Sequence, residues 1–150
     1  MTASRRIFHG AVFILLLREA DVLLLRRANT GYRDGQYTLP AGHLDGNETA
    51  ITAAIRETRE EVGVSIAPED ARVVAVVHRG PEADGDVEYV DFYVAASRWD
   101  GEPANTEPEK CDGIVWAPQD QLPAETIPYV VEAIAHVRAG IWFSTYGIPA

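Results

Sequence analysis

The sequence predicts a mixed fold, α/β or α+β, with helices packed on a central sheet. Three observations predict it. Runs rich in Val, Ile and Leu have strand length and are bounded by Gly, Pro, Asn and Asp. A helix-length stretch over 47–62 repeats apolar residues at Ile51, Ile55, Thr58 and Val62, and a second stripe follows Pro128. The 150 residues are 47% hydrophobic and 24% charged, enough for one core, and no repeat or linker divides them. Residues 1–150 therefore read as a single domain.

Residues 10–17 and 22–26 read as a β-hairpin turning through the polar stretch 18–21. Arg5 and Arg6 precede the first run as in a signal peptide. Arg18, Glu19 and Asp21 follow it at once, with no small-residue cleavage site, so it reads as a strand. Asn29, Gly31, Asp34 and Gly35 make 26–36 a loop, 37–40 is extended, and a turn runs through Ala41, Gly42, Asp45 and Gly46. Asn47 is the expected N-cap of the first helix, with Glu48 in its first turn, where a negative charge suits the dipole. The helix runs to Val62, and Gly63 stands just past its end. Strands are expected at 72–79, 87–98 and 114–117, with loops at 81–86 and 100–112. Pro128 opens a second helix, whose stripe is Val130, Val131, Ile134 and Val137, ending near Gly140. Trp142, Phe143 and Tyr146 are expected to cover the domain or the partner in a homodimer.

The net charge of −10 argues against unspecific binding of nucleic acid or of an anionic membrane. The longest apolar run, 11–17, is far short of the roughly 20 residues a spanning helix needs. A lone cysteine, Cys111, excludes an intrachain disulfide and a multi-cysteine zinc site, and is compatible with a cytoplasmic location. An anionic substrate would need a bridging cation.

The first helix supplies the means. Glu57, Glu60 and Glu61 share a face roughly 140° from the apolar seam. Three carboxylates at this spacing repel, at about 0.2–0.5 kcal/mol per close pair. A hard divalent ion, Mg²⁺ or Mn²⁺, reverses that sign, because it takes several oxygen ligands and shares them with phosphates. Arg56 and Arg59 on the same helix can orient the carboxylates.

From Gly42 the chain reads Gly42, five residues, Glu48, seven residues, Arg56-Glu57, two residues, Glu60-Glu61, one residue, Gly63-Val64. This resembles the Nudix box, the signature of the Nudix hydrolase superfamily, in its MutT-like form. Thr58 is the one departure, where the pattern usually has an aliphatic residue. Leu39-Pro40-Ala41-Gly42, and Arg98 to Pro103 followed by Glu107, are similar to further MutT-type segments. The resemblance implies an αβα sandwich with a central mixed sheet. It implies a hydrolase of phosphoanhydride bonds that cleaves a nucleoside diphosphate linked to another moiety, of the nucleoside triphosphate, nucleotide sugar or ADP-ribose type. Glu57, Glu60, Glu61, Glu107 and the carbonyl of Ala41 would hold Mg²⁺ or Mn²⁺, which polarises phosphoryl oxygens and activates water. Arg56 would hold the glutamates in place, Glu57 would be the base, and Glu60 would share the catalytic centre. Gly42 would permit a tight loop, Glu48 would tie it to the helix, and Gly63 completes the box.

Arg26 beside Arg27, His43 directly after Gly42, and His78 at a strand end are the candidate contacts to the small-molecule substrate. Two other functions share the resemblance. A Nudix-like sensor domain often loses the glutamates, and this chain keeps all three. Isopentenyl-diphosphate isomerase needs a cysteine near its own variant box, and Cys111 lies far downstream.

Overall fold

The computed structural model describes residues 4–149. The elements are β1 (Phe8–Arg18), β2 (Asp21–Arg27), β3 (Tyr37–Thr38), β4 (Ala41–His43), α1 (Ala50–Val62), β5 (Arg72–Arg79), β6 (Glu88–Ala96), β7 (Cys111–Pro118), α2 (Pro128–Arg138) and β8 (Phe143–Tyr146).

β1 organises the fold. Along its length it pairs in parallel with β6, from Phe8 opposite Glu88 to Leu16 opposite Ala96. Its other edge takes β4, antiparallel, at Ala11 to Phe13. The expected hairpin with β2 survives only at the tip, where Leu17 faces Val22 and Arg18 faces Asp21. With both edges of β1 occupied, β2 diverges and pairs instead with β7 and β3. β5 adds antiparallel to β6, and β8 adds in parallel to β5.

The apolar run of β1 is continuous because both of its faces are covered. Ala11, Phe13 and Leu15 point to the side of α2 and pack with Tyr129, Val130, Ala133 and Ile134. Val12, Ile14 and Leu16 point to the side of α1 and pack with Ala53, Ala54 and Val62. The result is the expected αβα sandwich with a mixed sheet. Among the described residues, no helix is long and apolar enough to cross a membrane.

Several expectations need correcting. Thr49, not Asn47, caps α1: its hydroxyl accepts the N–H of Thr52 at 3.1 Å. Asn47 is left-handed, with φ of 62°, and Glu48 precedes the helix rather than entering its first turn. The fully buried residues of α1 are Ala53, Ala54, Thr58 and Val62, while Ile51 and Ile55 are only half-buried. Alanine side chains let the helix lie close to the sheet, which rotates the contact face toward them. Thr58 is buried at no polar cost, because its hydroxyl donates to the Ala54 carbonyl at 2.7 Å. The C-terminal aromatics divide: Phe143 to Tyr146 form β8, Tyr146 packs on Tyr129, and Trp142 remains 72% exposed.

Gly63 ends α1 with φ of 74° and donates its N–H to the Arg59 carbonyl at 3.1 Å. Gly46 has an ordinary φ and open space around it. Gly63→Ala should therefore cost about 1–2 kcal/mol in urea unfolding, from the left-handed conformation alone. Gly46→Ala should be neutral or stabilising by up to about 1 kcal/mol. Equal effects at the two positions would contradict the cap assignment.

Candidate active site

Arg56 is the hub of the site. Its Nε and Nη2 donate to the two oxygens of Glu48 at 2.7 and 2.9 Å, and its Nη1 donates to Glu57 Oε1 at 2.8 Å. Nη2 also reaches the His43 carbonyl at 3.2 Å, and Nη1 stands 3.5 Å from Glu60 Oε2. One planar guanidinium thus fixes the loop after β4 and two helix carboxylates at once. Glu48 takes the Asp45 N–H as well, at 2.8 Å. Arg56, and then that N–H, lower its pKa to about 2.

Gly42 acts through space rather than through conformational freedom. A Cβ there would overlap the Glu57 carboxylate. Only glycine lets that carboxylate pass against β4. Beside it, the Ala41 N–H donates to Glu61 Oε2 at 3.2 Å.

Glu107 arrives on a loop held by the C-terminal end of α1. Helix ends leave carbonyls without intrahelical partners. Ala104 and Thr106 donate backbone N–H groups to the Val62 and Glu61 carbonyls, and the Thr106 hydroxyl donates to that of Glu60 at 2.6 Å. Glu57, Glu60, Glu61 and Glu107 consequently line one cavity of about 630 Å³, together with Ala41, Gly42 and His43. Burial pushes Glu61 up to about 8, and the charges of Glu57 and Glu107 add to the rise. Burial also raises Glu57, against the pull of Arg56 and with the help of Glu60 and Glu107.

Among the described residues, no three His, Cys, Asp or Glu side chains converge on one metal-binding point. Glu57 is turned onto Arg56 and Glu61 onto the Ala41 N–H instead. The donor set still suits a hard cation. It is all oxygen, it carries an excess of negative charge, and burial disfavours the ionised forms of Glu57 and Glu61.

Of the expected substrate contacts, His43 lines this cavity and stacks on Tyr89 at 5.7 Å. Arg26 lines it too, but its guanidinium is bound to Asp112 at 2.6 and 3.0 Å. A bulge between Arg26 and Arg27 lets both neighbours face the same space. His78 is not brought to the site. It lies on the other face of β5, against Phe8 and 4.0 Å from Glu88. Its neighbour Arg79 faces inward with Ala75 and Val77, and binds the buried Asp91 at 2.6 and 3.1 Å. Period-two alternation along 75, 77 and 79 was the signal that could have preferred Arg79.

A second cavity, of about 910 Å³, opens on the α2 side of the sheet. It shares Arg27, Thr38, Ala41, Gly42 and His43 with the first and adds Tyr32, Arg79, Glu82 and Tyr129. Sequence reasoning missed Tyr32, Glu82 and Tyr129, which come from segments without any shared motif.

The NUDIX domain family matches residues 7–136. A human 8-oxo-dGDP phosphatase, NUDT18, is 28% identical over 89% of this chain. An isopentenyl-diphosphate Delta-isomerase from Jannaschia sp. (strain CCS1) is 31% identical over 76% of this chain. The chain spans 41% of the length of the first relative and 66% of the second. The crystal structure of a MutT NUDIX hydrolase from Burkholderia pseudomallei superposes with a TM-score of 0.78, at 25% identity, covering 87% of this chain and 98% of that one. A NUDIX hydrolase from Nitrosomonas europaea gives 0.75 at 22% identity, covering 91% and 93%, which speaks to the fold alone.

Two outcomes follow from this geometry. In protein freed of divalent ions, the raised pKa of Glu61 means that the folded state holds its proton more tightly than the unfolded chain does. Stability is therefore intact near the ordinary carboxylate pKa and is lost as pH rises toward about 8. Glu61→Gln should leave the melting temperature unchanged near pH 4.5 and raise stability above pH 8, by on the order of a few kcal/mol. A pH-independent difference would refute the assignment. Gly42→Ala should displace Glu57 and weaken Mn²⁺ binding at least about tenfold, which calorimetry reads directly; unchanged affinity would show that the close approach is dispensable.

Proposed function

The chain belongs to the NUDIX family, and on that premise we propose that it is a pyrophosphohydrolase, dependent on Mg²⁺ or Mn²⁺, that works as a single domain on a nucleoside diphosphate linked to another moiety. One observation carries this reading: four carboxylates from α1 and the loop before β7 share one cavity, beside a loop that only Gly42 lets approach.

Glu57, Glu60, Glu61 and Glu107, with the Ala41 carbonyl, would hold the cation. When bound, the cation polarises phosphoryl oxygens and favours ionisation of the attacking water. The rest falls to the chain's own groups. Arg56 keeps Glu57 and Glu60 aimed into the cavity, and Glu48 keeps Arg56 in place. Glu57 is the proposed base, since Arg56 holds its carboxylate at the cavity wall beside the other cation-holding groups. Arg27 and His43 line both cavities, where they can position a phosphate or the group it carries.

A second reading has one finding in its favour. One relative is named as an isomerase, and Cys111 lines the carboxylate cavity. Its thiol, however, is buried and donates to the Gly113 carbonyl at 3.1 Å, which fits packing better than proton transfer.

The test is a panel of nucleoside di- and triphosphates, normal and oxidised, nucleotide sugars, ADP-ribose and isopentenyl diphosphate. Each is incubated with Mg²⁺ or Mn²⁺ in ¹⁸O-labelled water, and products are read by mass spectrometry. The expected result is a labelled phosphate product from a nucleotide substrate. Glu60→Gln should reduce that turnover about 10²–10³-fold, the scale on which a lost electrostatic contact to the transition state acts, and Cys111→Ser should leave it nearly intact. Unlabelled double-bond isomerisation abolished by Cys111→Ser would install the second reading instead.

A further inference from the structure

The larger cavity carries an arrangement that the hydrolytic reading does not use. Two loops, 29–36 and 80–87, meet over its mouth, and a single carboxylate joins them. Glu82 accepts from the Tyr32 hydroxyl and from Arg33 Nη2 at 3.4 Å, and stands 3.8 Å from Arg79 Nη1. Tyr32 in turn meets the hydroxyl of Tyr129 on α2 at 3.1 Å. The cluster therefore ties both loops to the second helix.

Its charges balance in pairs. Arg79 is neutralised from behind by Asp91, which is fully buried and accepts two hydrogen bonds from it. Among the described residues, Glu82 is the only carboxylate within ion-pair distance of Arg33. The Arg33 Nε is itself buried with no hydrogen-bond partner, so this guanidinium is underused as a donor. Tyr32 and Tyr129 rings lie 5.9 and 5.8 Å from it. Arg33 stands behind Glu82 rather than in the cavity wall, so without Glu82 its positive charge would be uncompensated next to the Tyr32 hydroxyl that does line the cavity, a site for an anion. With Glu82 in place, an anionic group entering there meets an occupied position and a like charge.

Resting on the hydrolytic reading for the identity of the ligand, we propose that Glu82 is a specificity-determining residue: it fills an anion position formed by Tyr32, Arg33 and Arg79, so that the larger cavity accepts an uncharged group on the substrate and rejects an anionic one. The smaller cavity takes the diphosphate, and the segment 41–43 common to both cavities connects the two parts of the ligand. The discrimination is electrostatic. One unit charge removed at a few ångströms, in an environment of effective dielectric near that of a protein surface, changes relative affinity by about tenfold or more.

Two pairs of ligands isolate that charge, one pair for each end of the substrate. UDP-glucose and UDP-glucuronate differ by a carboxylate on the sugar. ADP-ribose and its 2′-phosphate differ by a phosphate on the adenosine. For each pair the preference for the neutral member is measured as a ratio of dissociation constants by calorimetry and as a ratio of kcat/KM. We expect the wild type to favour the neutral member in at least one pair, and Glu82→Gln to shift that ratio toward the anionic member by about tenfold. Tyr32→Phe removes a hydrogen bond to Glu82 without changing the charge and should leave the ratio within about twofold. Adding Arg33→Gln to Glu82→Gln should restore the preference for the neutral member. A ratio unchanged by Glu82→Gln, shifted equally by Tyr32→Phe, or no binding of any of the four ligands overturns the proposal. Binding with the expected shift but without hydrolysis would uphold it while removing the hydrolytic reading.

Discussion

The site depends on one guanidinium surrounded by carboxylates. Arg56 touches Glu48, Glu57, Glu60 and the His43 carbonyl, so helix and loop cannot move independently of it. Its charge offsets only part of what α1 gathers. Glu61 and Glu107 lie on the same cavity beyond its hydrogen bonds, and burial there makes ionisation of Glu61 expensive. A fold that retains such a cluster keeps a local instability, which the divalent cation of the proposed function would relieve. The close passage of Glu57 over Gly42 and the docking of 104–107 onto the end of α1 serve the same requirement.

The sandwich explains how this is tolerated. Strand β1 buries both faces under helices, giving a stiff platform from which β4 and the following loop project. Stability comes from that apolar layer, so the rim can carry charges that repel. The two cavities lie on opposite sides of the same short segment, 41–43. The carboxylates of α1 line the smaller cavity and Tyr129 of α2 lines the larger.

Much of this was legible in the sequence, and the exceptions have physical causes. The strand over 72–79 was read to the residue, because alternation and flanking turn residues agree there. The glutamates were legible because their helical spacing sets them together before any tertiary contact forms. The cap was misplaced by two residues, since Asn47 and Thr49 both suit the position and only the loop geometry decides. At the end of the same strand, alternation turns His78 away from the site and Arg79 inward. The strand β8 escaped notice because its pairing with β5 is parallel and distant in sequence. The Tyr32, Glu82 and Tyr129 contacts escaped it for the same reason: they join three segments that only the fold brings together.

The central claim is that the carboxylate cavity is a divalent-cation site braced by Arg56. Electron paramagnetic resonance of added Mn²⁺ tests it most directly, by following the loss of the free-ion signal as protein is titrated in. The account predicts saturable binding by the wild type, strongly weakened by Glu57→Gln and by Arg56→Gln, with the fold intact by circular dichroism. The same Mn²⁺ affinity in the wild type and in both variants would contradict it.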